Sequence, residues 1–246
     1  MQERIQMLNT YIDNLSMKET VDLVNSAIKE KRQIHHTVVN AGKINLLQKD
    51  LILRESVNSA DIINADGLAV VWAAKFLGKP VKERVAGIDL MVNLVKNAAQ
   101  NNQKIYLFGA KENVVSKLAD IYTKNYGKDV IAGFRNGYFR KDEENSIMQN
   151  IANSGANLLF VAISSPKKEN LLYKYREILK DVNFIMGVGG SFDVLTGNVK
   201  RAPLWMQKMG MEWFFRLAQE PKRMWKRYLI GNPKFILLVL KEKFKI

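Results

Sequence analysis

From Ile34 to about Gly190, short runs of β-branched and apolar residues alternate with longer stretches of helical period. The short runs predict strands at Thr37–Val39, Ile62–Ile63, Ile105–Phe108, Val130–Phe134, Leu158–Ile163 and Phe184–Val188. The stretches between them predict helices over Leu68–Leu77, Leu90–Ala99, Val114–Tyr126, Ile147–Ala152 and Lys168–Leu179. Strands alternating with helices of this length predict an α/β fold, a Rossmann-like, mostly parallel sheet built from βαβ units. In such sheets ligands bind beyond the carboxyl ends of the strands. Ahead of this body, Ser16 and Glu19 have the spacing of a capping box before Val21 and Val24, which predicts a helix start.

Gly- and Pro-bearing sequence from Gly197 to Pro203 marks an internal boundary. Beyond it, Trp205–Leu217, Lys222–Leu229 and Lys234–Phe244 predict three short basic helices separated by Glu220-Pro221 and Gly231-Asn232-Pro233. The expected organisation is an α/β body over residues 1–196 and a helical appendage over 197–246. Charge sharpens this division. The 246 residues carry a net +14, and from Leu195 to Ile246 there are 12 Lys and Arg against 3 Asp and Glu, so the last fifth holds +9 of it. The same stretch holds Trp205, Trp213 and Trp225, three of the four tryptophans. Such an excess calls for a polyanionic partner: nucleic acid, an anionic membrane surface or a phosphorylated substrate. The apolar run Phe235–Leu240 is far too short to cross a bilayer, and the first 20 residues lack the apolar run of a secretory signal. With no cysteine, disulfides, thiolate nucleophiles and Cys-based metal sites are excluded; with His35 and His36 the only histidines, no metal site is expected.

Several polar residues fall at predicted strand ends. Thr37 lies in the first strand and Asn40 just after it; Asn64, Ala65, Asp66 and Gly67 follow the second. A carboxylate at a strand end, followed by a glycine that lets a ligand approach, suits a general base. Asp66 equally suits a cap for the helix beginning at Leu68, and pattern alone favours that reading. Arg84 lies in a short basic loop beside Glu83, a ready ion-pair partner. Gly109 opens a βα turn whose N–H groups suit a phosphate or ribose hydroxyl. Tyr138 and Phe139 offer either a stacking surface for a base or ordinary core packing. In GVGGSFD, Gly187, Gly189 and Gly190 let the backbone come close to a ligand and Asp193 can accept hydrogen bonds from hydroxyls. The spacing is not the dinucleotide fingerprint, and without an Asp-x-Asp pair any departing diphosphate must be neutralised by Lys and Arg.

The strings NADGLAVVWAAKFLG, ERVAGIDL, LFGA, NGYF, SSPKKE, GVGGSFDVLTGNVKRAPLWMQKMGMEWFFRLAQEP and KRMWKRY together resemble the WecG/TagA/CpsF family of bacterial glycosyltransferases, from about Thr37 to Arg227. The resemblance implies an inverting, metal-independent enzyme with no cofactor. It would transfer a sugar from a UDP-sugar to an undecaprenyl-diphosphate-linked sugar at the cytoplasmic face of the plasma membrane, in cell-surface polysaccharide or teichoic acid synthesis. It further implies Asp66 as the base, with Thr37, Asn40, Asn64 and Gly67 lining the donor or acceptor pocket. Arg84 would face the diphosphate, and Gly109, Tyr138, Gly187, Gly189, Gly190 and Asp193 would surround the nucleotide. In the appendage, Arg216, Arg223, Lys226 and Arg227 would meet lipid phosphates or the lipid diphosphate, with tryptophans at headgroup depth; apolar surface there also suits a homodimer. Many members have Gln-Glu after the Pro-Lys pair where this chain has Lys168-Glu169. Lys168 either stabilises a diphosphate, reads a carboxylate on a uronic-acid donor, or is a solvated first-turn residue, which leaves the donor open among N-acetylmannosamine-type, uronic-acid and hexose sugars.

Two rival readings remain: a basic nucleic-acid-binding protein and a catalytically silent membrane-bound scaffold. Charge concentrated beside tryptophans rather than along a groove disfavours the first, so no nucleic-acid partner is expected. The intact NADG and ERVAG strings disfavour the second.

Overall fold

A computed structural model describes residues 3–245. The elements run β1 (Arg4–Met7), β2 (Thr10–Asp13), α1 (Met17–Lys29), β3 (Ile34–Val39), α2 (Ala41–Leu47), α3 (Leu51–Asn58), β4 (Ile62–Ala65), α4 (Leu68–Phe76), α5 (Gly87–Gln100), β5 (Ile105–Gly109), α6 (Glu112–Tyr126), β6 (Ile131–Arg135), α7 (Glu144–Ala152), β7 (Leu158–Ala162), α8 (Lys167–Lys174), β8 (Phe184–Gly187) and α9 (Ser191–Leu195). Helices α10 (Leu204–Lys208), α11 (Glu212–Gln219), α12 (Pro221–Trp225) and α13 (Gly231–Phe244) follow, with a π-helical turn at Lys226–Ile230 between the last two.

Six strands form one parallel sheet in the order β4-β3-β8-β7-β5-β6. Alternate residues feed opposite layers, as the pleat requires. Leu158, Phe160, Phe184 and Met186 pack on one face with α1, α5, α6 and α9. Leu159, Val161 and Ile185 pack on the other with α7 and α8, while Val39, Ile63 and Ala65 meet α2, α3, α4 and α13 on that side. Burial on both faces explains why the strands read as continuous apolar runs rather than alternating ones.

All six expected strands and the α/β architecture are present. The Ser16 capping box is closed in both directions, by Glu19 N–H to Ser16 Oγ at 3.2 Å and Ser16 N–H to Glu19 Oε2 at 2.8 Å. The β1–β2 hairpin was not legible, nor were α2 and α3, each eight residues or fewer. The hairpin finishes the sheet: Asp13 accepts from the Ile63 N–H of edge strand β4 at 2.6 Å and from Arg4 at 2.7 Å. An otherwise open sheet edge is thereby covered.

Beyond residue 197 the expected helices are redrawn. Trp205–Leu217 is broken at Gly210, whose φ of +74° no helix continues. Conversely, Gly231-Asn232-Pro233 does not end a helix. Helical backbone runs from Pro221 to Phe244 because the wide turn at Lys226–Ile230 already forgoes normal pairing where Pro233 lacks its N–H. This long helix is held to the body: Phe235 and Val239 are buried among α2 and β2 residues, Asn45 Nδ2 donates to Gly231 O at 2.7 Å, and Leu8 N–H donates to Glu242 at 2.6 Å.

Candidate active site

Because every strand of the sheet is parallel, all carboxyl ends lie along one edge. The loops after β3, β4, β7 and β8 place polar side chains there. After β4, Asp66 is a half-buried carboxylate. It does not cap α4, whose N-cap is Gly67 with no side-chain bond; it lies instead near the N–H of Gly87 at the start of α5. Burial, then the negative charge of Glu212, push its pKa up, against the opposing pull of Arg84, Arg216 and the Gly87 N–H. A carboxylate held above its ordinary range is a better proton acceptor near neutrality.

The cations around it come from separate elements. Arg84, on the loop before α5, pairs with Glu212 Oε2 at 3.5 Å and not with Glu83, which accepts from the Met17 N–H. Arg216, one turn on from Glu212 in α11, takes Glu212 Oε1 at 3.2 Å. Nearby, Arg201 grips Asp89 of α5 with two bonds of 2.6 and 2.7 Å, which ties the segment leading into α10 to the body.

A second cluster lies beneath the ends of β3, β7 and β8. Lys168 is not a solvated first-turn residue: it is 6% exposed, its Nζ bonds Ser165 Oγ at 2.8 Å and Glu169, and its stem covers Gly187. Glu169, 3% exposed, also receives Lys43 Nζ at 2.8 Å, and that same Nζ donates to Thr37 Oγ1 at 3.2 Å. Two lysines thus share one carboxylate. Burial first, then repulsion from Lys43, lowers the Lys168 pKa from 10.5 to about 8, while the two ammonium groups outweigh burial and hold Glu169 well below the usual carboxylate range.

A model of the glycosyl transferase WecG/TagA/CpsF family matches residues 5–246. The chain belongs to this family of glycosyltransferases. It is 36% identical over 187 residues to the N-acetylglucosaminyldiphosphoundecaprenol N-acetyl-beta-D-mannosaminyltransferase of Bacillus spizizenii (strain W23), across 76% of this chain and 71% of that protein. Over 195 residues it is 35% identical to the protein of the same name from Bacillus subtilis (strain 168), across 79% and 74%.

The remaining candidates of this glycosyltransferase divide by position. Asn40 caps α2, accepting from Lys43 N–H at 3.0 Å, and keeps part of its surface open. Gly67, at φ +146°, lets the chain turn from β4 into α4 beside Asn40. Gly189 and Gly190 face open space, and Asp193 is half-buried in α9 beside them. Gly187 makes room for Lys168, and Gly109 for the Ala162 backbone, which a Cβ would approach to 2.5 Å; both glycines serve packing. Asn64 has no exposed surface, and its Oδ1 accepts from the protonated Nε2 of His36 at 2.8 Å. It therefore braces β3 against β4 rather than reaching a ligand. Phe139 packs on Phe108, whereas Tyr138 is 69% exposed. Tyr138 follows Gly137, which lies against Gly109, Ala110 and Ile163, so it sits over the ends of β5 and β7 rather than beside β4 and Asp66. In the tail, Arg227 lies over Gly42 and close enough to Lys168 to feel its charge. Arg223 and Lys226 point outward, to Glu220 and the Trp225 ring.

Sequence reasoning missed Lys43, Glu169, Glu212, Asp89 and Arg201. Their signal was partner choice across the fold, which no local spacing carries.

Proposed function

We propose that this family member is an inverting, metal-independent enzyme that moves a sugar of the N-acetylmannosamine type from a UDP-sugar to an undecaprenyl-diphosphate-linked sugar in cell-wall polymer synthesis. One observation carries the reading: a partly buried carboxylate, Asp66, with its pKa pushed up, lies at the carboxyl edge of the sheet within the field of Arg84 and Arg216. The names of the relatives supply the substrate class.

In this scheme Asp66 takes the proton of an acceptor hydroxyl as that oxygen forms a bond to the anomeric carbon. The bond from that carbon to the UDP oxygen breaks on the opposite face, its electron pair leaving with UDP. Arg84, Arg216 and Arg227 meet the negative charge that develops on the diphosphate. Asn40, Gly67, Gly189, Gly190 and Asp193 line the approach of the substrates.

No helix among the described residues is long and apolar enough to cross a membrane. The exposed Trp205, Trp213, Phe214, Trp225 and Leu229 beside outward Arg223 and Lys226 support peripheral docking of segment 197–246 on an anionic, cytoplasmic membrane face. The test is UDP release across a UDP-sugar panel with an N-acetylglucosaminyl-diphosphate-prenol acceptor. Release that depends on the acceptor, with the β-linked product, supports the reading; a chain inert to every donor overturns it and favours a scaffold.

A further inference from the structure

Among the described residues, Glu212 is the acidic side chain from the C-terminal segment whose charge acts on Asp66. It is three-quarters buried, and its two oxygens are used separately: Oε2 on Arg84 at 3.5 Å and Oε1 on Arg216 at 3.2 Å. Arg84 belongs to the body and Arg216 to α11, so this carboxylate joins the two parts close enough to Asp66 for its charge to be felt there. Both pairs are single-contact and loose, whereas Arg201–Asp89 nearby is doubly bonded and tight. A carboxylate needed only for tethering would be redundant beside that clamp. Beside Asp66 it also adds a second negative charge, which disfavours ionisation of the first.

We propose that Glu212 is a positioning residue of the transfer reaction: it aligns Arg84 with Arg216 across the body–tail junction and sets a negative charge near Asp66. The inference rests on Asp66 being the proton acceptor. Four other groups face Asp66: Arg84 from its loop, the Gly87 N–H of α5, Arg216 of α11, and Arg201, which feels the charges of both Asp66 and Glu212. Against this fixed set, removing the Glu212 charge leaves an excess of positive potential at Asp66.

Glu212→Gln keeps the shape and loses the charge; Glu212→Asp keeps the charge. In full-length protein labelled with ¹³C at aspartate carboxylates, with Asp66→Asn to identify the resonance, the Asp66 titration midpoint should fall by roughly half a pH unit or more in Glu212→Gln. In Glu212→Asp it should stay near the native value. In the UDP-release assay the acid limb of Glu212→Gln should move down in parallel, with kcat reduced about tenfold and the donor KM within about twofold. An Asp66 midpoint that stays put or rises in Glu212→Gln overturns the inference. Because that titration needs no substrate, a wild-type chain inert to all donors would refute the proposed function while the Glu212–Asp66 coupling is still read.

Discussion

Glu169→Gln and Lys168→Gln should have very different effects on stability, although the two residues are neighbours and bonded to one another. Among the described residues, Glu169 is the one carboxylate paired with both Lys43 and Lys168, all three being 6% exposed or less. Neutralising it strands two buried ammonium groups, and breaking a buried pair in this way costs about 3–5 kcal/mol. For a domain of this size that is a fall in Tm of roughly 6–20 °C. Lys168→Gln leaves the Lys43–Glu169–Thr37 arrangement intact. A Lys168 pKa lowered from 10.5 to about 8, with its bond to Glu169 already counted, means that its charge costs the folded state about 3 kcal/mol at neutral pH; removing that charge offsets the loss of the buried stem packed on Gly187. The net change should be within about 1 kcal/mol. The pH dependence follows from linkage: the unfolded chain keeps the Lys168 proton up to 10.5 and the folded chain releases it near 8, so wild-type stability rises across pH 8–10.5 and Lys168→Gln flattens that rise. The depressed Glu169 pKa adds stability above its ordinary 4.5 that is lost as pH falls below it, and Glu169→Gln removes this contribution. Urea unfolding followed by far-UV circular dichroism, run from well below pH 4.5 up to pH 10.5, measures all of this. Equal losses in the two variants at pH 7, or a Glu169→Gln loss under about 1 kcal/mol, would refute the shared-carboxylate account.

Asp66→Asn should reduce turnover by about 10²–10⁴-fold. Its raised pKa means that charged Asp66 costs folded-state stability at neutral pH, so the same variant should unfold at equal or higher urea, and a lower midpoint would contradict that sign. The kcat/KM of the wild type should fall, as pH is lowered, above the ordinary carboxylate range rather than at 3.8. Gly109→Ala should destabilise by roughly 2 kcal/mol or more, since its Cβ would meet the Ala162 backbone at 2.5 Å at a φ of +124°. Gly190→Ala faces open space and should leave stability nearly unchanged while weakening UDP binding in a titration. Lys226→Ala should weaken binding to anionic vesicles by about fivefold and leave transfer to a short water-soluble acceptor intact, whereas Arg227→Ala should reduce that transfer.

The strands were legible because burial on both faces makes each a continuous apolar run, and the Ser16 cap because its chemistry is local. The β1–β2 hairpin was not: its four-residue strands turn through Leu8 and Asn9, both at positive φ without a glycine to announce it. The tail misled in both directions. Gly210 was an unremarked residue that breaks a helix, and Gly231-Asn232-Pro233 an expected breaker that the π-helical turn absorbs. At the site, residue types at strand ends marked where chemistry concentrates but not what each side chain faces. Asp66 turned from α4 to the N-terminus of α5, and Lys168 proved buried because Glu169 and Lys43 lie within reach. Those are tertiary pairings, and β3, β7 and the loop before α5 converge only when the sheet forms.

The basic tail is then less uniform than its +9 suggests. Arg216 turns inward toward Asp66, and Arg227, though exposed, lies over Gly42 within range of the Lys168 charge, whereas Arg223 and Lys226 face outward among exposed aromatic side chains. A coat of solvated charge would put all four outside, where each is worth little. With Arg201 paired to Asp89, the cations Arg84, Arg216, Arg227, Lys43 and Lys168 outnumber the carboxylates Asp66, Glu212, Glu169 and Asp193 there among the described residues, and a diphosphate brings the missing negative charge. The continuous helix from Pro221 to Phe244, anchored by Phe235 and Val239, sets both faces at once. The same segment that offers aromatic side chains to an interface also supplies part of the anion site, so a lipid-linked diphosphate could reach the sheet edge without leaving the surface that carries its chain.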